Sequence, residues 1–135
     1  MSSERDARLW MSYAEDDLRV SDELLNLKEY SAGILHAQQA AEKALKAVIV
    51  ALTGKPPPYL HDAKVLLGYI KGFDVPDAIA AQAVILDPYY IMTRYPPRPQ
   101  TIILADKADS LLRAAQEVCQ WCSTQLSVIA KSRSS

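Results

Sequence analysis

Four side chains with polar heads, His36, Gln39, Lys43 and Lys46, recur at spacings of three, four and three residues. On a helix those spacings set them in one line along one face. Such a ladder offers ammonium groups as point charges and imidazole or amide as hydrogen-bonding heads, which suits a phosphate or a base edge. The same spacing also fits a solvated face on which Glu42 and Lys46 form an ordinary i,i+4 ion pair. A second cluster, His61-Asp62, follows Pro56-Pro57-Pro58-Tyr59-Leu60 and reads either as a binding pair or as the start of a helix. The third is Tyr89-Tyr90-Ile91-Met92-Thr93-Arg94-Tyr95, three of the chain's seven tyrosines beside an arginine. Arg94 with Tyr95 could stack on a nucleobase or contact phosphate. The tyrosines equally suit the packing of a kinked helix against a bundle.

Other chemistries find no support in the sequence. It contains no G-x-x-x-x-G-K-[ST] and no G-x-G-x-x-G, so the common phosphate-cradling loops are missing. No Ser or Cys sits in a recognisable nucleophile motif, and two histidines without an H-x-x-x-H pattern give no metal site. No catalytic residue, metal or cofactor is assigned. Both cysteines fall in Cys119-Gln120-Trp121-Cys122, inside a helical pattern without a second pair, and read as small apolar residues on one face. A formal net charge of −1 argues against binding duplex DNA through a global positive potential. No segment reaches the roughly 18 consecutive apolar residues of a membrane span. The polar start MSSERDARLW does not resemble a signal peptide, so a cytoplasmic protein without membrane contact is expected.

The elements that must position these residues are helices. With 135 residues, half of them hydrophobic and 23% charged, the chain suits a single domain with one core. The central element is expected over Tyr30–Thr53, which has no Pro and is rich in Ala, Leu, Gln, Glu and Lys. There Ile34, Ala37, Ala41, Ala44, Leu45, Val48 and Leu52 share one arc, and the polar ladder lies opposite. Gly54 and the three prolines after it end this helix. Before it, a helix over about Glu4–Leu27 turns Trp10, Ala14, Leu18, Ser21 and Leu25 inward, widened by Tyr13, Val20 and Leu24. The link at Lys28-Glu29 is too short for anything but an antiparallel hairpin.

A third, shorter helix starts near Leu60, capped by His61 or Asp62 and closed by Gly72. A fourth runs over about Pro76–Asp87, and Pro88 breaks or kinks it. Pro96-Pro97-Arg98-Pro99 makes a second break. The last helix, about Ile103–Ile129, repeats Leu104, Ala108, Leu111, Ala115, Val118, Cys122, Leu126 and Ile129. Residues 1–130 form the expected domain and 131–135 a frayed, disordered tail. No segment alternates like a strand, so the fold class is all-α, an up-and-down bundle of about five helices.

Three pieces, in order, resemble the HEPN family. They are A-x-x-x-H-A-Q-Q-A-A-E-K-A-L-K-A over Ala32–Ala47, His61-Asp62 opening the third helix, and Leu86-Asp87-Pro88-Tyr89-Tyr90-Ile91-Met92-Thr93-Arg94-Tyr95-Pro96. The resemblance covers nearly the whole chain. It implies a bundle of about five helices, a homodimer, and pairing with a minimal nucleotidyltransferase in a toxin–antitoxin-like module. Many HEPN domains are metal-independent ribonucleases with an Arg-x4–6-His motif. This chain departs from that pattern: after Arg94 the required offsets hold Pro99, Gln100 and Thr101, and its only histidines, His36 and His61, lie upstream. The resulting expectation is a HEPN protein that binds a nucleotide, RNA or a nucleotidyltransferase partner rather than an enzyme, with His36, Gln39, Lys43, Lys46, His61, Arg94 and Tyr95 as ligand-binding residues. The alternatives are a ribonuclease toxin with a displaced active site, and an interaction module with Tyr89 and Tyr90 at its interface.

Overall fold

The computed structural model describes residues 2–72, 74–96 and 101–134. Three long helices carry the fold: α1 (Ser2–Asn26), α2 (Tyr30–Thr53) and, last in the chain, α6 (Thr101–Ser134). Between them lie α3 (Ala63–Leu67), α4 (Asp77–Ile85) and α5 (Pro88–Met92). Leu86 and Asp87 stay right-handed helical, and the amides of Tyr89 and Tyr90 bond to the carbonyls of Leu86 and Asp87. The path therefore bends at Pro88 without stopping, so α4 and α5 form one kinked helical unit and the bundle has five units among the described residues. No described residue is in a strand.

Helix α2 is the centre, in contact with both α1 and α6 along its length. From Ala40 to Ala51 every residue except Lys43 is buried. Ile34, Ala37, Ala44, Leu45 and Val48 are wholly inaccessible. A helix buried on all sides normally lacks charge. This one carries Glu42 and Lys46 into the interior: the expected i,i+4 pair forms, but buried rather than on a solvated face.

The α1–α2 hairpin closes through a left-handed Lys28, φ 64°. The amides of Lys28 and Glu29 bond to the carbonyls of Leu25 and Leu24, which is the Schellman arrangement with Lys in the place usually held by Gly. Gly33 then lets the two helices meet: a Cβ there would stand 2.5 Å from Leu25 Cδ2. Ser21 Oγ donates to the Gly33 carbonyl at 2.7 Å across the same crossing.

Several boundaries differ from expectation. The inward arc of α1 runs through Ala7, Met11, Ala14, Asp17 and Ser21, while Tyr13 faces out. The helix must serve both α2 and α6, which rotates the arc away from Tyr13. Helix α3 is only five residues long, and Gly68 rather than Gly72 follows it. Of the two proposed caps Asp62 is the one used, its carboxylate accepting from the Lys64 amide at 2.9 Å. Helix α6 passes Ile129 and continues through Ser134, so residues 131–134 are helical rather than frayed. All eight positions of its apolar repeat are buried. Pro97, Arg98, Pro99 and Gln100, in the second proline break, lie outside the described residues.

Cys119 and Cys122 are free, buried thiols, matching the apolar reading. Burial pushes Cys119 up to about 12 and Cys122 well above the ordinary thiol range, so neither is poised as a nucleophile. No helix among the described residues is long and apolar enough to cross a membrane.

Candidate ligand-binding site

The polar ladder of α2 is not an open row of donors. Two carboxylates, one from the facing helix and one from α2 itself, take up most of its charge. Asp17 on α1 lies within the buried arc and accepts on both oxygens, from His36 Nδ1 at 2.8 Å and from Lys43 Nζ at 2.6 Å. One turn further along α2, Glu42 accepts from Gln38 Nε2 at 3.3 Å and from Lys46 Nζ at 3.1 Å. Lys46 and Glu42 keep only 7% and 6% of their side-chain surface in contact with water. Gln39 donates to Gln38 Oε1 at 2.7 Å and so joins the same network. His36, Gln39, Lys43 and Lys46 are brought together as expected, but as an internally neutralised spine. An incoming phosphate would have to compete with a carboxylate already in contact.

The second histidine completes the Glu42 hub. His61 stands just before α3, and its Nδ1 lies 3.1 Å from both Glu42 oxygens. That contact fixes the ring orientation and leaves Nε2 without a hydrogen bond among the described residues. The imidazole is about half exposed. Its plane stacks on Tyr90 of α5, centroids 4.2 Å apart and planes 19° from parallel. Arg94 also covers Tyr90, its guanidinium carbon 3.9 Å from the ring centre, while Nη1 donates to the Tyr90 carbonyl at 2.9 Å. Two planar groups this near one centroid fit only on opposite faces of the ring. His61, Tyr90 and Arg94 therefore form a three-layer stack rooted in buried Glu42. Tyr95 is exposed and joins this stack through no described contact, and Tyr89 turns into the core.

Asp87 braces the platform from behind. It accepts from the Ala63 amide at 2.8 Å, tying the α4–α5 bend to the first turn of α3 next to His61. Burial, and then the neighbouring Asp62, raise its pKa from 3.8 to about 6 against the opposing pull of the Ala63 amide. The folded state thus holds this proton more tightly than the unfolded chain. The contribution to stability is full below about pH 4 and is lost as pH rises through about 6. In Asp87→Asn, which keeps an acceptor for Ala63 and cannot ionise, that component of the pH dependence is expected to vanish. Urea midpoints measured from pH 4 to 7 for both proteins check it: their difference should grow with pH in favour of Asn.

Sequence reasoning missed Asp17 and Asp87. The signal for Asp17 was its place in the inward arc, between Ala14 and Ser21, where a carboxylate needs a partner. Asp87 had the weaker signal of standing before a proline at a helix bend.

The family described as "HEPN domain" matches residues 7–125. The chain belongs to the HEPN family. A Thermus thermophilus protein of known crystal structure is 32% identical, with a TM-score of 0.76 over 87% of this HEPN chain and 96% of that one. A HEPN domain protein from Thermotoga maritima shares 28% identity, with a TM-score of 0.71 over 87% of this chain and 97% of that one. An archaeal HEPN homologue shares the fold at 24% identity, TM-score 0.74, over 89% of this chain and 97% of that one. A Methanocaldococcus jannaschii protein named "Putative toxin" is 43% identical over 44 residues, 33% of this chain. The match spans only 29% of that relative's length.

Proposed function

We propose that this HEPN protein is a cytoplasmic, homodimeric binding module that takes a nucleotide within RNA on its aromatic stack. In this reading it acts beside a minimal nucleotidyltransferase as a toxin–antitoxin-like pair. The observation that carries the reading is the His61–Tyr90–Arg94 stack, an edge of aromatic and guanidinium planes beside the exposed Tyr95. Such platforms hold bases with little sequence preference and add charge for the backbone. The similarity to a protein named as a toxin supports the module-level reading. The stripe residues His36, Lys43 and Lys46 serve here as structural supports, because their charges are already paired.

Fluorescence anisotropy with a labelled single-stranded RNA tests the site. Arg94→Ala is expected to weaken binding about tenfold with an unchanged melting temperature. RNA binding that is absent, or indifferent to this change, removes the reading. Co-purification with a nucleotidyltransferase encoded next to the chain tests the partner.

One observation favours a second reading, a metal-independent ribonuclease with a displaced site. Glu42 on Nδ1 of His61 leaves Nε2 free to take a proton, as in carboxylate-oriented histidine bases. Cleavage of RNA in the presence of chelator, lost in His61→Ala, would favour it.

A further inference from the structure

The connection from α2 to α3 runs through Lys55-Pro56-Pro57-Pro58-Tyr59. These residues fix its shape. Each proline holds φ at about −65° and offers no amide to a helix or strand. Lys55, Pro56 and Pro57 each stand before a proline, which drives them into the extended or polyproline II region. Pro56, Pro57 and Pro58 accordingly belong to no helix, strand or turn. A polyproline II helix has three residues per turn, so positions three apart share an edge.

Exposure follows that period. Pro56 and Tyr59 are exposed, whereas Pro57 and Pro58 between them are half-buried, as is Leu60. The strap therefore turns the edge bearing Pro56 and Tyr59 to solvent. Tyr59 is 100% exposed, more than any other large apolar side chain among the described residues. Both ends of the strap are tied down. The Lys55 amide donates to Thr53 Oγ1 at 3.1 Å, in the last turn of α2, and Asp62 caps α3 at the far end. Between them the Leu60 amide donates to the Pro58 carbonyl at 2.9 Å. An aromatic ring held in water beside a stiff, tethered backbone loses little freedom when a partner covers it.

We infer that the Pro56–Tyr59 strap is the docking site for a partner protein bearing an aromatic-lined groove that reads polyproline II. Such grooves gain affinity because their ligand is extended before it binds. Pro56 supplies one anchor and the Tyr59 ring the other, on the same edge. Lys55, exposed at the head of the strap, suits an acidic residue at the rim of the groove. A nucleic-acid strand would need positive charge along that edge, and both anchors are neutral. The inference stands on the strap alone and does not depend on RNA binding at the His61–Tyr90–Arg94 stack.

A WW domain that reads Pro-Pro-x-Tyr is the probe, titrated by calorimetry into the full chain. The unaltered protein is expected to bind it with micromolar affinity. Tyr59→Ala and Pro56→Ala should each weaken binding about tenfold at an unchanged melting temperature, since both side chains are exposed. Tyr13→Ala, which removes a 52% exposed tyrosine from α1, should leave the affinity as it was. If the probe does not bind the unaltered chain at millimolar concentration, the fold withholds the edge and the proposal is overturned. Binding that survives both strap variants puts the contact elsewhere and overturns it too. If Tyr59→Ala converts dimers to monomers at unchanged affinity for the probe, the strap is a face between two copies of the chain, and the proposal falls. Should Tyr59→Ala weaken RNA and leave the probe bound, the strap belongs to the RNA surface instead.

Discussion

Glu42→Ala is expected to cost about 3–5 kcal/mol of folding stability, the loss typical of stripping one partner from a buried ion pair. The reason is what remains behind. Lys46 keeps 7% of its side-chain surface in water and would be left as a buried ammonium with only the Trp10 ring, 5.9 Å away, to face it. His61 and Gln38 lose their acceptor in the same step. Against a total stability of roughly 5–15 kcal/mol for a domain, this is a large fraction. Urea unfolding followed by circular dichroism measures it. The double change Glu42→Gln with Lys46→Met should recover most of the loss, because it removes both charges together. A single-variant loss below about 1 kcal/mol would mean that water reaches the pair, against the burial described.

Leu45→Ala is expected to cost about 3 kcal/mol and lower the melting temperature by roughly 10 °C. Leu45 is wholly inaccessible, at the middle of the helix that both long neighbours pack against. It lies among Ala41, Ala44 and Val48, small residues with no reach to fill the space it leaves. Helices α1 and α6 are already in contact with this surface, so closure of the void would require moving whole helices. Differential scanning calorimetry decides the point. A shift of only a degree or two would show that the bundle collapses freely around α2.

Periodicity carried the sequence a long way where one apolar stripe met one neighbour. The bounds of α2 agree at both ends, and the α6 repeat lies wholly in the core, because a three–four spacing has only one way to face inward. It served less well where an element touches two neighbours, as in α1, whose buried arc includes Met11 and Asp17 and leaves Tyr13 outside. The polar ladder shows the deeper gap. Spacing placed His36, Gln39, Lys43 and Lys46 on one line, but the charge of that line depends on what covers it. Asp17 comes from 19 residues before His36, and His61 from 19 residues after Glu42. Helical wheels do not register partners at such separations. The stack of His61, Tyr90 and Arg94 was legible as three suspicious residues and not as one object, since Tyr90 and Arg94 meet four residues apart but His61 reaches them only through tertiary contacts, its own with Glu42 and that of Ala63 with Asp87.

The alanines that line α2 raise a question of register. Ala37, Ala40, Ala41, Ala44 and Ala47 present a smooth surface, and smooth helices slide. A shift of α1 by one turn, about 5.4 Å, would take Leu25 off Gly33 and Ser21 off the Gly33 carbonyl. It would also tear Asp17 from His36 and Lys43 and leave the Asp17 carboxylate and the Lys43 ammonium stranded in a partly buried interface. Asp17 thus acts as a key beside the Ser21–Gly33 hydrogen bond and the Leu25–Gly33 contact, which mark the same register. Its ion pairs add little to the depth of the native minimum and a great deal to the height of its nearest competitor. A change at Asp17 would blur where one helix stops against the other, and with it where His36 stands.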